Sequence, residues 1–197
     1  MNIRRDVLSN MTKAELVDFV EMTGALIEQV IATKYGLQHN TEVNGVDAFC
    51  PKTKQAYEIK SQVYSGKYAL RGRGKYGFIS DLIAAKKLAI DEQTIIVGVC
   101  GQTAEVLYEY LVPFAAVHGK YMDSVARSHN KNWSNCDIYP RHYTYHPDFK
   151  VLSVVTPKVL LQNQHKFQQK FFKIIMAQSK AFHNTPAKRK SKQLAFA

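Results

Sequence analysis

Cysteine is scarce in this sequence: Cys50, Cys100 and Cys136 are odd in number and far apart. That spacing excludes a disulfide framework and a paired-cysteine zinc knuckle, and a reducing cytoplasm is the natural setting. Long apolar runs are missing too. No stretch reaches about 18 consecutive apolar residues, which excludes a membrane-spanning helix on length and leaves a soluble protein as the expectation. The opening Met1-Asn2-Ile3-Arg4-Arg5-Asp6 leads into a segment carrying Lys13, Glu15, Asp18 and Glu21, unlike a secretory signal peptide. Acid is in short supply: 16 Asp+Glu face 27 Lys+Arg, a formal charge of +11. Such an excess favours a polyanionic partner, because basic side chains release condensed counterions when they neutralise phosphates. Nucleic acid leads that list, although basic surfaces also serve anionic membranes.

What is present suits one domain, since 197 residues with 46 % apolar content can bury a sizeable core. Leu16, Phe19, Val20, Leu26, Ile27, Val30 and Ile31 recur at helical spacing from a cap at Asn10 or Thr12 to about Tyr35, and Gly36 is the stop. Leu37 to Val43 reads as a short strand. Val46 and Ala48 alternate with Asp47 and Phe49, Pro51 to Lys54 make a turn, and Ala56 to Tyr64 resume an extended pattern. Ser65 to Gly77, with four glycines and four Lys/Arg, reads as a flexible loop. Phe78 to Ile90 is helix-like, and Thr94 to Val99 and Ala104 to Val112 are strands about a turn at Gly101-Gln102. Phe114 to Ala126 reads as helical, Arg127 to His146 as loop-rich surface, Val151 to Val155 as a strand and Pro157 to Met176 as a final helix. The order predicts an α/β fold, a mixed β-sheet flanked by helices. It divides into a core of about residues 12–112, a C-terminal region 113–180 and a basic tail 181–197.

The chemistry gathers at one hairpin. Glu58 and Lys60 are two apart and share a strand face, and Asp47 lies on the preceding segment, so two carboxylates and an ammonium can converge. Oxygen donors of this kind suit Mg²⁺, which takes one or two carboxylates beside waters and substrate phosphate oxygens. Glu-x-Lys on a strand is common and usually marks a solvated face. Here, however, the charges are embedded among Val46, Ala48, Tyr57 and Ile59, where burial is costly unless a site requires it.

Asp47 followed after ten residues by Glu58-Ile59-Lys60 resembles the motif of the PD-(D/E)XK, or restriction-endonuclease-like, nucleases, with Val46 where the motif's name has proline. The similarity is concentrated in about residues 24–112. It implies a restriction-endonuclease-like core with Asp47, Glu58 and Lys60 catalytic and Asp47 and Glu58 holding Mg²⁺. It also implies in-line hydrolysis of double-stranded DNA to 5′-phosphate and 3′-hydroxyl ends. Gly24-Ala25-Leu26-Ile27-Glu28 resembles the family's first helix, which makes Glu28 a further metal ligand or an ordinary exposed glutamate. Gln62, on the Lys60 face, either orients the site or is a surface glutamine. The resemblance further implies a type II restriction enzyme acting as a homodimer on a palindromic site, and it leaves room for a cognate DNA methyltransferase in the host.

Arg71, Arg73 and Lys75 are candidates for tracking the DNA backbone, with a solvated loop as the bland counterpart. Lys86 and Lys87 either hold phosphate or complement a helix C-terminus. His129, Asn130, Lys131, Asn132 and Asn135 have side chains suited to base edges, though such composition also makes plain turns. Three rival sites are visible: His142-x-x-x-His146 at helical zinc-ligand spacing, His129-Asn130 as a fragment of an HNH nuclease, and Cys50 as a nucleophile. Two rival functions are a structure-selective nuclease, such as a junction resolvase or repair nickase, and a DNA-binding protein without catalysis.

Overall fold

The computed structural model describes residues 26–40, 46–64, 69–78, 92–100, 103, 105–128 and 134–186. Residues 26–34 form helix α1, and Gly36, at φ 66°, ends it with the Leu37 N–H donating to the Ala32 carbonyl at 2.9 Å. Strands β1 (Gln38–His39), β2 (Ala48–Phe49) and β3 (Ala56–Tyr64) follow. After β4 (Gly74–Phe78) come β5 (Gln93–Cys100), β6 (Val106–Pro113) and a 3₁₀ turn at Phe114–Ala116. Helix α2 (His118–Arg127), β7 (Ser134–Ile138), α3 (Pro140–Tyr143), β8 (Lys150–Val154), α4 (Pro157–Gln162) and α5 (Gln169–Asn184) complete the order.

Six strands form one sheet in the order β1-β2-β3-β5-β6-β8, with β3 and β5 parallel and the other pairs antiparallel. The fold is therefore α/β with a mixed sheet flanked by helices. Strand alternation sorts the side chains. Tyr57, Ile59, Ile95, Val97 and Val99 face Ile31 and Ala32 of α1. On the other face Ile96, Cys100, Tyr108 and Tyr110 pack with Phe167, Phe171 and Ile175 from α5 and its approach. Helix α1 is also tied to the middle of the sheet. The fully buried Glu109 of β6 accepts hydrogen bonds on Oε2 from Lys34 and, at 2.8 Å, from the Tyr35 hydroxyl. Burial and then Glu109 hold the Tyr35 phenol well above its ordinary pKa, so it stays a donor.

Four expectations need correction. The segment 65–77 is not wholly a loop: β4 pairs antiparallel with β7 in a second, two-stranded sheet, Lys75 opposite Asp137 and Gly77 opposite Asn135. Local propensity hides this because β4, Gly-Lys-Tyr-Gly-Phe, has two glycines and is held by a partner far along the chain. The stretch from Arg127 to His146 likewise contains β7 and α3. The strand read at 37–43 is short, Gln38–His39 in the described part. The final helix is broken between α4 and α5 because Phe167 forms a bridge with Leu70: the Leu70 N–H donates to the Lys166 carbonyl at 2.7 Å and the Gln168 N–H to the Leu70 carbonyl at 2.9 Å. The helix start at Asn10 or Thr12, the helix read at 78–90 beyond Phe78, the turn at Gly101-Gln102 and the tail from 187 onward lie outside the described residues; Phe78 itself ends β4, and residues 181–184 of the expected tail continue α5. Among the described residues no helix is long and apolar enough to cross a membrane.

Gly72 is the backbone position that permits this arrangement. Its φ is 65°, and a Cβ there would come within 2.3 Å of the Phe171 ring. Gly72→Ala combines a left-handed conformation costing about 1–2 kcal/mol with overpacking of about 1–3 kcal/mol. The expected outcome is a urea midpoint lowered by the equivalent of about 2–5 kcal/mol at unchanged slope. An unchanged midpoint would contradict the ring contact.

Candidate active site

The turn joining β2 to β3 sets the register. The Cys50 N–H donates to the Gln55 carbonyl and the Lys54 N–H to the Cys50 carbonyl, each at 2.9 Å, with Lys54 at φ 63°. Ala48 then pairs with Tyr57, and the same register continued one residue brings Asp47 opposite Glu58. Asp47 leaves the ladder there, and its Oδ2 accepts the backbone N–H of Ile59 at 2.6 Å. From the other side Asn40 holds the segment, donating its backbone N–H to the Asp47 carbonyl at 2.8 Å and Nδ2 to the Val46 carbonyl at 3.0 Å.

The Asp47 carboxylate therefore meets β3 between Glu58 and Lys60. Lys60 Nζ lies 3.6 Å from Asp47 Oδ2 and in closer contact with Glu58 Oε1. Side-chain exposures are 22 % for Lys60, 18 % for Asp47 and 17 % for Glu58, so the group is mostly withdrawn from water. Burial raises the Glu58 pKa; Lys60 opposes that and Asp47 adds to it. Burial works against the Lys60 ammonium, yet Glu58, Asp47 and Glu28 outweigh it and its pKa is raised, so the charge is kept.

Glu28 belongs to the same electrostatic cluster. Its pKa is raised from 4.5 to about 7 by burial and then by Asp47, with Lys60 pulling the other way and Glu58 pushing up. His39 Nε2 lies 4.0 Å from its Oε2. Three carboxylates thus face one ammonium, an excess of negative charge built from oxygen donors. Among the described residues no three His, Cys, Asp or Glu side chains stand together as a ready cation cage. A hard ion that keeps several waters needs no such cage, and Mg²⁺ fits the donor set with Asp47 and Glu58 as the residues that would hold it and Glu28 beside them.

Gln62 continues the Glu58–Lys60 face and is not a spare surface amide. Its Oε1 accepts the backbone N–H groups of Arg71 at 2.7 Å and Gly72 at 3.0 Å, and the Tyr108 hydroxyl at 3.4 Å. It therefore fixes the start of the basic segment against the strand that carries Glu58 and Lys60. A cleft of about 310 Å³ opens here, with Lys60, Gln62, Ala69, Arg73 and Lys75 among its walls. Arg73 is partly neutralised, its Nη1 lying 3.4 Å from Asp137 Oδ2. Arg71 and Lys75 are exposed, as is Asn135 on β7. Lys86, Lys87, His129, Asn130, Lys131 and Asn132 lie outside the described residues.

Sequence reasoning missed Asn40 and Asp137. Asp137 had one legible signal, a lone acid alternating with the apolar Cys136 and Ile138 in a basic chain. The zinc reading of His142 and His146 has no support in the geometry. His142 is in the four-residue α3, its Nδ1 accepting the Tyr139 N–H at 3.1 Å, while His146 is past the helix end and its Nδ1 accepts the Asp148 N–H at 3.2 Å. Cys50 is buried at the hairpin turn, its thiol held to a lower pKa first by a hydrogen bond with the Thr53 side chain. The HNH fragment lies outside the described residues. No protein-family model matches the chain, and no curated protein matches it in sequence.

The shift at Glu28 has a pH signature. Between 4.5 and about 7 the folded chain keeps a proton on Glu28 that the unfolded chain releases, so this group's effect on stability becomes more unfavourable as pH rises through that window. In EDTA, the melting temperature of Glu28→Gln relative to the parent should climb from pH 4.5 to 7 and level off above it. A difference that is flat in pH would remove Glu28 from the cluster.

Proposed function

We propose that this chain is a Mg²⁺-dependent endonuclease of the PD-(D/E)XK kind that cuts double-stranded DNA at a short sequence, as a type II restriction enzyme does. The observation that carries the reading is the convergence of Asp47, Glu58 and Lys60 on β3 through the Asp47–Ile59 hydrogen bond, beside a cleft whose basic walls begin at Lys60. On this reading the mixed sheet is the core of a restriction-endonuclease-like fold, and its β2–β3 hairpin carries the reaction.

When bound, Mg²⁺ supplies an activated water and neutralises charge growing on the phosphoryl group. The residues do the rest. Asp47 and Glu58 are the residues that would hold the ion. Lys60, kept protonated by its carboxylate neighbours, offsets the negative charge that builds on the phosphate oxygens as the bond to the 3′ oxygen breaks. Arg73 and Lys75 hold the flanking backbone in the cleft. A two-fold dimer would set two such sites on opposite strands of a palindrome.

The deciding experiment incubates a long duplex of varied sequence with Mg²⁺, with EDTA, and with Lys60→Ala. Discrete Mg²⁺-dependent fragments are expected, with the rate lowered about 10²–10³-fold in the variant while binding persists. Cutting of branched DNA in preference to matched duplex would point to a junction resolvase or repair nickase. Binding without cutting would leave a DNA-binding protein.

A further inference from the structure

The charge of this chain is distributed unevenly. The last 49 residues, 149–197, hold ten Lys/Arg and not one Asp or Glu, so nearly the whole excess of +11 belongs to them. Part of that excess is organised on α5. Phe171, Ile175 and Ser179 are buried against the sheet, whereas Lys170, Lys173 and Lys180 are exposed. At about 100° per residue the three lysines fall within an arc of about 80°, and at about 1.5 Å per residue they span about 15 Å. Among the described residues none of them enters an ion pair.

The helix that carries the stripe starts beside one wall of the cleft. Phe167, just before α5, bridges Leu70, and Phe171 covers Gly72, so the helix starts against the backbone of the segment whose Arg71 is exposed and whose Arg73 lines the cleft. We propose that Lys170, Lys173 and Lys180 of α5 form a second, sequence-independent track for the phosphate backbone of duplex DNA, on the helix that starts beside the cleft, extending the footprint beyond the cutting site. About 15 Å matches roughly four phosphate steps along one strand at about 3.4 Å each, enough for three lysines to take separate phosphates. Ammonium groups on flexible stems suit contact without base reading, since they meet phosphate as point charges. The placement beside the cleft rests on the nuclease reading above; the affinity for duplex does not.

The test measures binding of a 40-base-pair duplex of arbitrary sequence to the full chain in EDTA, by fluorescence anisotropy across a salt series. Each lost phosphate contact lowers the magnitude of the slope of log affinity against log salt by about 0.9, so Lys170→Gln/Lys173→Gln/Lys180→Gln should lower it by about 2.7. The charge-matched control Lys52→Gln/Lys150→Gln/Lys158→Gln should leave it in place. Replacing the three α5 lysines by arginine should restore the slope, which separates lost charge from lost folding. Equal slopes in parent and glutamine variant, or an equal fall in the control, would overturn the track. So would a glutamine variant that loses binding only to vesicles of 30 % phosphatidylserine in phosphatidylcholine. Because no cutting is involved, a chain that binds with the expected slopes but never cleaves would overturn the nuclease reading and support the track.

Discussion

The backbone amide of Ile59 donates to Asp47 Oδ2 at 2.6 Å, and the layout of the candidate site depends on that bond. Strand β2 is only two residues long, too short to fix a side chain beyond its end by ladder pairing alone. The carboxylate is instead aimed by the strand that carries Glu58 and Lys60. A backbone donor between those two residues leaves Asp47 addressed to both. Ile59 itself is buried under α1, which stops the amide from swinging away. An apolar side chain on one face of β3 thus stabilises a polar cluster on the other, and a strand's alternation is what allows both.

Helix α1 contributes through its far end. Tyr35 and Lys34 meet Glu109 in the centre of the sheet, and Glu28 is two turns back from Tyr35 on the same side of the helix. A pair with one member wholly buried adds little net stability once desolvation is counted, but it is demanding in geometry. Its consequence here is positional: the helix cannot slide along β6 without leaving the Glu109 carboxylate uncompensated, so Glu28 stays within electrostatic reach of Asp47 and Glu58.

Much of this layout is legible in the amino-acid sequence. The central strands are encoded locally: the extended pattern from Ala56 to Tyr64 has the limits of β3, and the β-branched run Thr94 to Val99 sits inside β5. Glu58 and Lys60 share a face because period-2 geometry requires it. What the sequence does not reveal depends on partners distant along the chain. Gly-Lys-Tyr-Gly-Phe becomes a strand only because Ser134–Ile138 pairs with it, and a helical pattern is interrupted at Phe167 only because Leu70 reaches it. Gln62 is ambiguous in sequence for the same reason, since its acceptor has meaning only once Arg71 and Gly72 return to it.

That last contact joins the carboxylate cluster to the basic face of the molecule. The Gln62 carboxamide is on the face that carries Glu58 and Lys60, and it accepts the first amides of the basic segment whose other side rests on Phe171. Strand β3, the segment 70–73 and α5 are therefore connected by short, directional contacts. On the proposed track, phosphate held at the α5 lysines would lie along the helix that starts beside the segment carrying the exposed Arg71. A positive path of this form lets weak, salt-sensitive contacts concentrate substrate near a site whose own carboxylates repel it. On the proposed nuclease reading the negative cluster would need a cation for chemistry and a basic approach for delivery. In this chain the first demand arises from Glu28, Asp47 and Glu58, and an answer to the second begins one residue pair further along the same strand.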